Sequence, residues 1–438
     1  MTSHPESPLE RERAGLDACV HCGFCLPACP TYLALEDEND SPRGRLVLMR
    51  ALLDGRVAAD DANAMRHFDQ CLGCRGCETA CPSGVPYGAL LEATRATINV
   101  HRPLPWPARL VLAVFAREWL LRPALLVARA VRVSGLAHLA AHVLPARVAM
   151  PFAMLASTAR ASSMAQTPPP AAAPTEWSPT AWSPVATGER GRVALLTGCV
   201  MEGLFTELNR ATERVLSVNG YRMGGSPGQV CCGALHAHAG DASTARELAR
   251  TNIAAFEASG ADVIVMNSAG CGAMCKEYGH LLANDTKWSA RANAFSAKVR
   301  DVSELLAAAG PVSTPSVAPP ISVAWDAPCH LEHGQRIASA PLQVLRAIGS
   351  IALRPLAESD QCCGSAGIFN LIQPEVAERV LAPKLAQIRA SGASVIATAN
   401  PGCLMQIGGG LILEGSGVQA RHPVELLDAA YTSRAQGH

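Results

Sequence analysis

The sequence predicts a multidomain chain: an α-helical N-terminal domain followed by two repeated α/β cysteine-rich units. Three observations predict it. Two cysteine runs of identical spacing lie within residues 1–100, a Pro-rich stretch separates them from the rest, and landmarks of the C-terminal half recur at nearly one offset. At about 100–200 residues per domain, 438 residues make two to four domains, and 49% hydrophobic residues supply more than one core. The expected divisions are 1–100, a helical segment and linker over 101–190, and repeated units over 191–310 and 320–432.

Lys plus Arg equals Asp plus Glu at 37 each, so no net charge draws the chain to nucleic acid or to an anionic membrane as a whole. Seventeen cysteines are the unusual number. The opening MTSHPESPLERERAGLDAC carries charges from the start and no apolar core of a secretory signal. Thiols then stay reduced, clustered cysteines read as metal ligands rather than disulfides, and the expected compartment is cytoplasmic.

The first run is Cys19, Cys22, Cys25, Cys29-Pro30; the second is Cys71, Cys74, Cys77, Cys81-Pro82. Both fit C-x2-C-x2-C-x3-C-P without a gap. A cubane [4Fe–4S] cluster needs four converging thiolates; two-residue spacers let a tight turn deliver three, and the cysteine before proline ligates the other cluster. The expected ligands are therefore Cys19, Cys22, Cys25 and Cys81 for one cluster, and Cys71, Cys74, Cys77 and Cys29 for the second. Zinc, the plainer alternative, favours separated C-x2-C pairs closing one tetrahedron. Covalent haem is excluded because neither run contains C-x-x-C-H. Between the runs, Ser41-Pro42 forms an N-cap and first-turn pair before LVLMRALLDG, so the connection is expected to be helical, as in an α-helical ferredoxin-type domain. Arg43, Arg45 and Arg75 either offset cluster charge or are simply solvated.

Residues 104–145 are apolar but interrupted by Arg109, Arg117, Arg122, Arg129 and Arg132. No run approaches the ~20 apolar residues of a spanning helix. One or two amphipathic helices are expected, packed on a neighbouring unit or lying against a membrane surface or partner subunit. The stretch from about 157 to 190 reads as an Ala/Pro-rich linker, since successive prolines continue neither helix nor sheet.

In the C-terminal half, GADVIVMNSAGC (260–271) aligns with GASVIATANPGC (392–403), VALLTGC (193–199) with VAWDAPC (323–329), and Cys231-Cys232-Gly233 with Cys362-Cys363-Gly364. Two copies of one unit follow. Each alternates short Val/Ile/Ala runs with helical stretches such as PEVAERVLAPKLAQIRASG, which argues for parallel α/β units. The cysteines fall just after the strand-like runs, at the strand carboxyl edge where sites are built. Cys199, Cys231, Cys232 and Cys271 of one copy, and Cys329, Cys362, Cys363 and Cys403 of the other, are candidates for a further cluster; buried free cysteine acting as a small hydrophobe is the plain alternative. Cys275 has no partner in the second copy, where Ile407 aligns with it. His236, His238, His330 and His333 lie near these cysteines as ligands, proton carriers or ordinary turn histidines.

No G-x-G-x-x-G follows a strand, no G-x-x-x-x-G-K-[ST] occurs, and Gly408-Gly409-Gly410 fits neither. No FAD or NAD is expected on this chain. Clusters move single electrons, whereas oxidising a small organic molecule calls for a two-electron acceptor such as flavin. The chain is therefore expected to be a subunit without a substrate-oxidising site of its own.

The motifs CVHCGFCLPACPTYLALEDENDSPRGRL (19–46), CLGCRGCETACPSGVPYG (71–88), DAPCHLEHGQR (326–336), ESDQCCGSAGIFN (358–370), NPGCLMQI (400–407) and RHPVELLD (421–428) resemble the iron–sulfur subunits of glycolate oxidase. The paired CCG units are also similar to those of lactate-utilisation proteins, the small subunit of anaerobic glycerol-3-phosphate dehydrogenase and heterodisulfide reductases. The resemblance implies FAD-binding partner subunits that oxidise glycolate to glyoxylate, and electron transfer from this chain toward membrane quinone. The same role for lactate, another 2-hydroxy acid or glycerol-3-phosphate, a heterodisulfide-reductase-like subunit or other thiol–disulfide reductase, and a zinc-stabilised scaffold are the alternatives. In heterodisulfide reductases, CCG motifs with a closing C-x-x-C hold unusual clusters; here the first copy closes with C-x-x-x-C and the second with Cys403 alone.

Overall fold

The computed structural model describes residues 7–159, 186, 188–314 and 320–435; most of the expected linker lies outside them. Among the described residues the N-terminal part is all helix, as the segment between the cysteine runs foretold. The helix Pro42–Leu53 starts where Ser41 accepts a hydrogen bond from the Gly44 N–H at 2.9 Å. Asp61 caps Ala62–Asp69 in the same way, and Tyr87–His101 follows the second cysteine run. Leu9, Leu16, Met49, Phe68, Leu90 and Leu91 form the small core, each buried apolar side chain contributing about 1.5–3 kcal/mol.

The segment expected to form one or two helices forms four: Trp106–Ala116, Glu118–Val133, Leu136–Val143 and Ala146–Ser157. The breaks fall at Arg117, which is extended, at Gly135, which is left-handed at φ 76°, and at the extended Leu144 before Pro145. No single helix among the described residues is long and apolar enough to cross a membrane. The last helix packs on Pro401–Leu413 through the triple glycine of that helix. A Cβ on Gly408 would stand 2.8 Å from Ser157 Cβ and one on Gly409 2.9 Å from the Met154 nitrogen, so this glycine run serves helix contact.

Each repeated copy is a four-stranded parallel sheet. In the first copy β1 (Arg192–Leu195), β2 (Arg222–Gly224), β3 (Val263–Met266) and β4 (Val299–Asp301) lie in the order β2-β1-β3-β4. In the second, β5 (Ile321–Trp325), β6 (Ile351–Arg354), β7 (Val395–Ala397) and β8 (Gln419–Arg421) lie in the order β6-β5-β7-β8. The register repeats as well: Val193 pairs with Val263, and Val323 with Val395. The helical stretch read from the sequence is Pro374–Ala390. One core holds both copies together, with Val193, Leu195 and Val265 packed in the same cluster as Val323, Trp325 and Val395. The Ala269 N–H donates to the Ala399 carbonyl at 3.1 Å across this junction.

The N-terminal domain docks on both copies by polar contacts. Arg75 pairs with Glu277 of the first copy, and Thr79 Oγ1 lies 2.8 Å from His333 Nδ1 of the second.

Candidate iron–sulfur centres

The two N-terminal runs open with the same winding. Each places left-handed backbone at the same two positions: His21 and Gly23 at φ 56° and 88°, Gly73 and Arg75 at φ 62° and 67°. Such residues reverse the chain within a two-residue spacer and return the next thiol to the same side. A side chain there costs roughly 1–2 kcal/mol, accepted once in each run, at His21 and at Arg75.

Cys19, Cys22, Cys25 and Cys81 line one cavity of about 410 Å³. Cys29, Cys71, Cys74 and Cys77 line a second of about 290 Å³, and Cys77 also borders the first. The fourth cysteine of each run thus faces the cavity of the other run. Neither cavity is lined by a carboxylate, so the donor sets suit thiophilic iron rather than a hard oxygen-seeking cation. Burial pushes the Cys29 and Cys77 thiols up, while contact with Cys362 and then burial do the same at Cys74. Bound iron would reverse this, because a coordinated thiol is deprotonated.

The three arginines stand at these cavities. Arg43 lines the first and is half-buried beside Glu38 at 2.6 Å. Arg75 and Arg45 line the second. Arg45 is fully buried; its guanidinium donates to the His67 carbonyl at 2.6 Å, Thr31 Oγ1 at 3.0 Å and Asp40 Oδ1 at 3.0 Å. Burial opposes its charge, but Cys71, Tyr87, Cys29 and Asp40 hold the group protonated. A fixed buried guanidinium beside four cysteines would offset part of the negative charge of a cluster held there.

The C-terminal cysteines assemble into two equivalent groups at the strand carboxyl edges. In the first copy Cys199 Sγ lies 3.6 Å from Cys231 Sγ, Cys231 touches Cys232, and Cys232 touches Cys271. In the second, Cys329 and Cys362 lie 3.9 Å apart, Cys362 touches Cys363, and Cys363 and Cys403 lie 3.1 Å apart. Cys74 of the N-terminal domain abuts Cys362, so the second cavity and the second copy share a sulfur contact. No such contact with the first copy is found among the described residues. Cys275 is wholly buried in an apolar core, as is Ile407 at its equivalent position.

The histidines divide. His236 is buried with Nε2 3.1 Å from the Leu112 carbonyl, and His333 bridges Thr79 and the Asp360 carbonyl. His330 Nδ1 stands 3.5 Å from Cys329 Sγ, and burial lowers its pKa to about 3. His238 Nδ1 lies 2.7 Å from the Glu92 carboxylate. Sequence reasoning missed the buried ion pair of Lys384 with Asp326 at 2.9 Å, beside the second thiol group. The departure of DAPC from LTGC within the repeat was the available signal.

A double-cavity, all-thiol helical domain joined to a duplicated cysteine-rich unit defines an iron–sulfur protein class, and family comparison agrees. Residues 15–85 match the 4Fe-4S dicluster domain, and residues 193–276 and 323–408 match the cysteine-rich domain. The chain is 38% identical to the probable glycolate oxidase iron-sulfur subunit of Bacillus subtilis (strain 168), over 93% of this chain and 92% of that protein. It is 34% identical to the glycolate oxidase iron-sulfur subunit of Escherichia coli (strain K12), over 95% and 94%. Lactate utilization protein A of Shouchella clausii (strain KSM-K16) is 28% identical over 54% of this chain and 98% of its own length. The chain belongs to the family of glycolate oxidase iron–sulfur subunits.

Proposed function

We propose that the chain is the electron-transfer subunit of a glycolate oxidase (dehydrogenase) complex. FAD-binding partner subunits oxidise glycolate to glyoxylate, and this chain relays the electrons toward a quinone-type acceptor. One [4Fe–4S] cluster is held by Cys19, Cys22, Cys25 and Cys81, the other by Cys71, Cys74, Cys77 and Cys29. The observation that carries the reading is the crossed lining of two thiol cavities. Cys22 is exposed between Val20 and Phe24, which are 68% and 66% exposed, and this apolar rim is where the flavin subunit docks. The cysteines of the CCG copies hold a further cluster, reached from Cys74 through Cys362. The chain works on the cytoplasmic side, its helices over 106–148 resting on the membrane: Glu118 is the lone acid in 101–159, while Trp106, Trp119, Leu126, Val133 and Val143 are exposed.

Glycolate is preferred over lactate because the relatives named for glycolate oxidase match nearly the whole chain, those named for lactate utilisation about half. Co-purification with the partners, followed by a screen of 2-hydroxy acids for dye reduction, tests this. Glycolate is expected to be oxidised, and activity with lactate alone overturns the substrate. Anaerobic purification yields a brown protein with about eight irons from the two cubane clusters, and more if the CCG copies are loaded; a colourless zinc protein overturns the carrier role. Cys22→Ser abolishes transfer to the dye while glycolate still reduces the partner flavin.

A further inference from the structure

A cleft of about 1040 Å³ lies where the N-terminal domain meets both copies. Ile98, Leu104, Leu235, Ile368, Phe369 and Ile372 make its apolar walls. Cys71 also lines it, so a cluster on that thiolate reaches the cleft through its own ligand. Polar groups converge at one side. Arg95 donates to the Cys71 carbonyl and to the His238 carbonyl, both at 2.7 Å, which ties the two walls to one guanidinium. Arg102 is anchored by Asp69 at 2.8 Å and Asn99 by the Ala239 carbonyl at 2.7 Å. His238 Nδ1 is held by Glu92, leaving Nε2 without a hydrogen-bond partner among the described residues. Behind it a small cavity, walled by Leu91, Ala273 and Met274, brings Glu92, Glu277 and His330 to the far side of the His238 ring. Pro103, Leu104 and Pro105 form the lip, immediately before Trp106, which is 75% exposed and opens the apolar helical segment.

We propose that this cleft is the binding site of a lipophilic quinone, entered from the side of the exposed apolar helices and reduced from the Cys71 cluster. The proposal rests on the reading of Cys71 as a cluster ligand in a chain that delivers electrons to a quinone-type acceptor. An apolar slot with a few convergent donors suits a flat ring with two carbonyls. The reaction balances as quinone plus two electrons plus two protons giving quinol. The electrons arrive singly from the cluster, and the partner flavin supplies both. One carbonyl oxygen takes a proton from His238, which is recharged through Glu92; the other proton comes from water at the mouth.

Two variants test it, with a short-tailed ubiquinone as probe. Ile372, 37% exposed at the rim, tolerates enlargement, and Ile372→Trp is expected to weaken ubiquinone binding to the iron-loaded chain at least about tenfold in equilibrium dialysis, ~1.4 kcal/mol. His238→Gln is expected to lower ubiquinone reduction relative to ferricyanide reduction by about 100-fold, since ferricyanide takes electrons without protons. Unchanged affinity in the first and an unchanged ratio in the second overturn the site. If the complex reduces ferricyanide from glycolate but the chain binds no ubiquinone, the cleft proposal falls and the carrier role stands. If glycolate yields no reduced ferricyanide, the functional reading falls, while dialysis still decides the cleft.

Discussion

The two cysteine-rich copies share strand order, register and the placement of four thiols, yet they differ in the charge built around those thiols. The first copy is neutral there. Asn252, in the helix Ala242–Ser259, accepts from the Val230 N–H at 2.8 Å and donates to the Cys231 carbonyl at 3.0 Å, and Leu196 closes the strand end. The second copy puts Lys384 and Asp326 at the equivalent positions. Lys384 donates to the Glu358 and Ser359 carbonyls at 2.9 and 3.0 Å and pairs with Asp326, both side chains 2% exposed. Each copy therefore fastens its cysteine loop from the same helix position, the first at Val230 and Cys231 with an amide, the second at Glu358 and Ser359 with an ammonium. The charged version belongs to the copy whose Cys362 meets the N-terminal Cys74. The pair carries no net charge; what it adds over the amide is charge-assisted hydrogen bonding, a stronger tether for the loop that meets the second domain.

Removing that cation should have the largest effect. Lys384→Met leaves Asp326 buried without its counter-charge and strips two carbonyls of their donor, which costs about 3–5 kcal/mol. Denaturant unfolding measures it. Installing the neutral arrangement of the first copy, Asp326→Leu with Lys384→Asn, removes both charges together and recovers most of the loss, because replacing a buried pair is far cheaper than breaking one. Equal destabilisation by the single and double variants would show that the charge has no structural part in the second copy.

The corresponding change in the first copy is smaller. Asn252→Ala removes the acceptor of the Val230 N–H and the donor to the Cys231 carbonyl without stranding a charge, and costs about 1–3 kcal/mol. The comparison sharpens if Asn252→Ala also loosens the Cys231–Cys232 loop to amide hydrogen exchange while the Cys362–Cys363 loop keeps its protection. A loss of protection in both loops would mean that the shared core, rather than the local tether, holds them.

Local signals were the legible ones. The spacing of the eight N-terminal cysteines foretold two tightly turned loops, because each loop's geometry is set within ten residues. The repeat foretold two parallel sheets, since its landmarks are strand ends. The helix count over 106–157 was not legible: Arg117 breaks the chain by adopting an extended conformation that nothing in its residue type demands. Nor was the contact of Cys74 with Cys362, which depends on how separately folded units dock. Gly408-Gly409-Gly410 was readable only as the absence of a nucleotide motif, because its use, close approach by Met154 and Ser157, is a tertiary fact.

The smallest expected difference between the copies lies at their last strands. Asp301 and His422 occupy equivalent cap positions, each followed at the third residue by a glutamate that accepts from the cap N–H: Glu304 at 3.3 Å and Glu425 at 2.8 Å. Both caps are buried, and burial moves them in opposite directions. It raises Asp301 from 3.8 to about 6, against the bonds from Ser303, and lowers His422 from 6.5 to about 3. The folded state thus binds the Asp301 proton more tightly than the unfolded chain, so that stability is full below about pH 4 and is lost as pH rises through 6. The folded state rejects the His422 proton, so that stability is full above pH 6.5 and is lost as pH falls toward 3. Between pH 5 and 7 the two slopes oppose each other, at about 1 kcal/mol for Asp301 and about 2 kcal/mol for His422. Asp301→Asn keeps a good N-cap and removes the first slope, leaving a chain that loses more stability than wild type on going from pH 7 to pH 5. His422→Asn removes the second and should lose less than wild type over the same interval. Denaturant midpoints at the two pH values, compared between each variant and the parent, read both signs; parallel shifts in the two variants would show that the caps do not titrate as opposites.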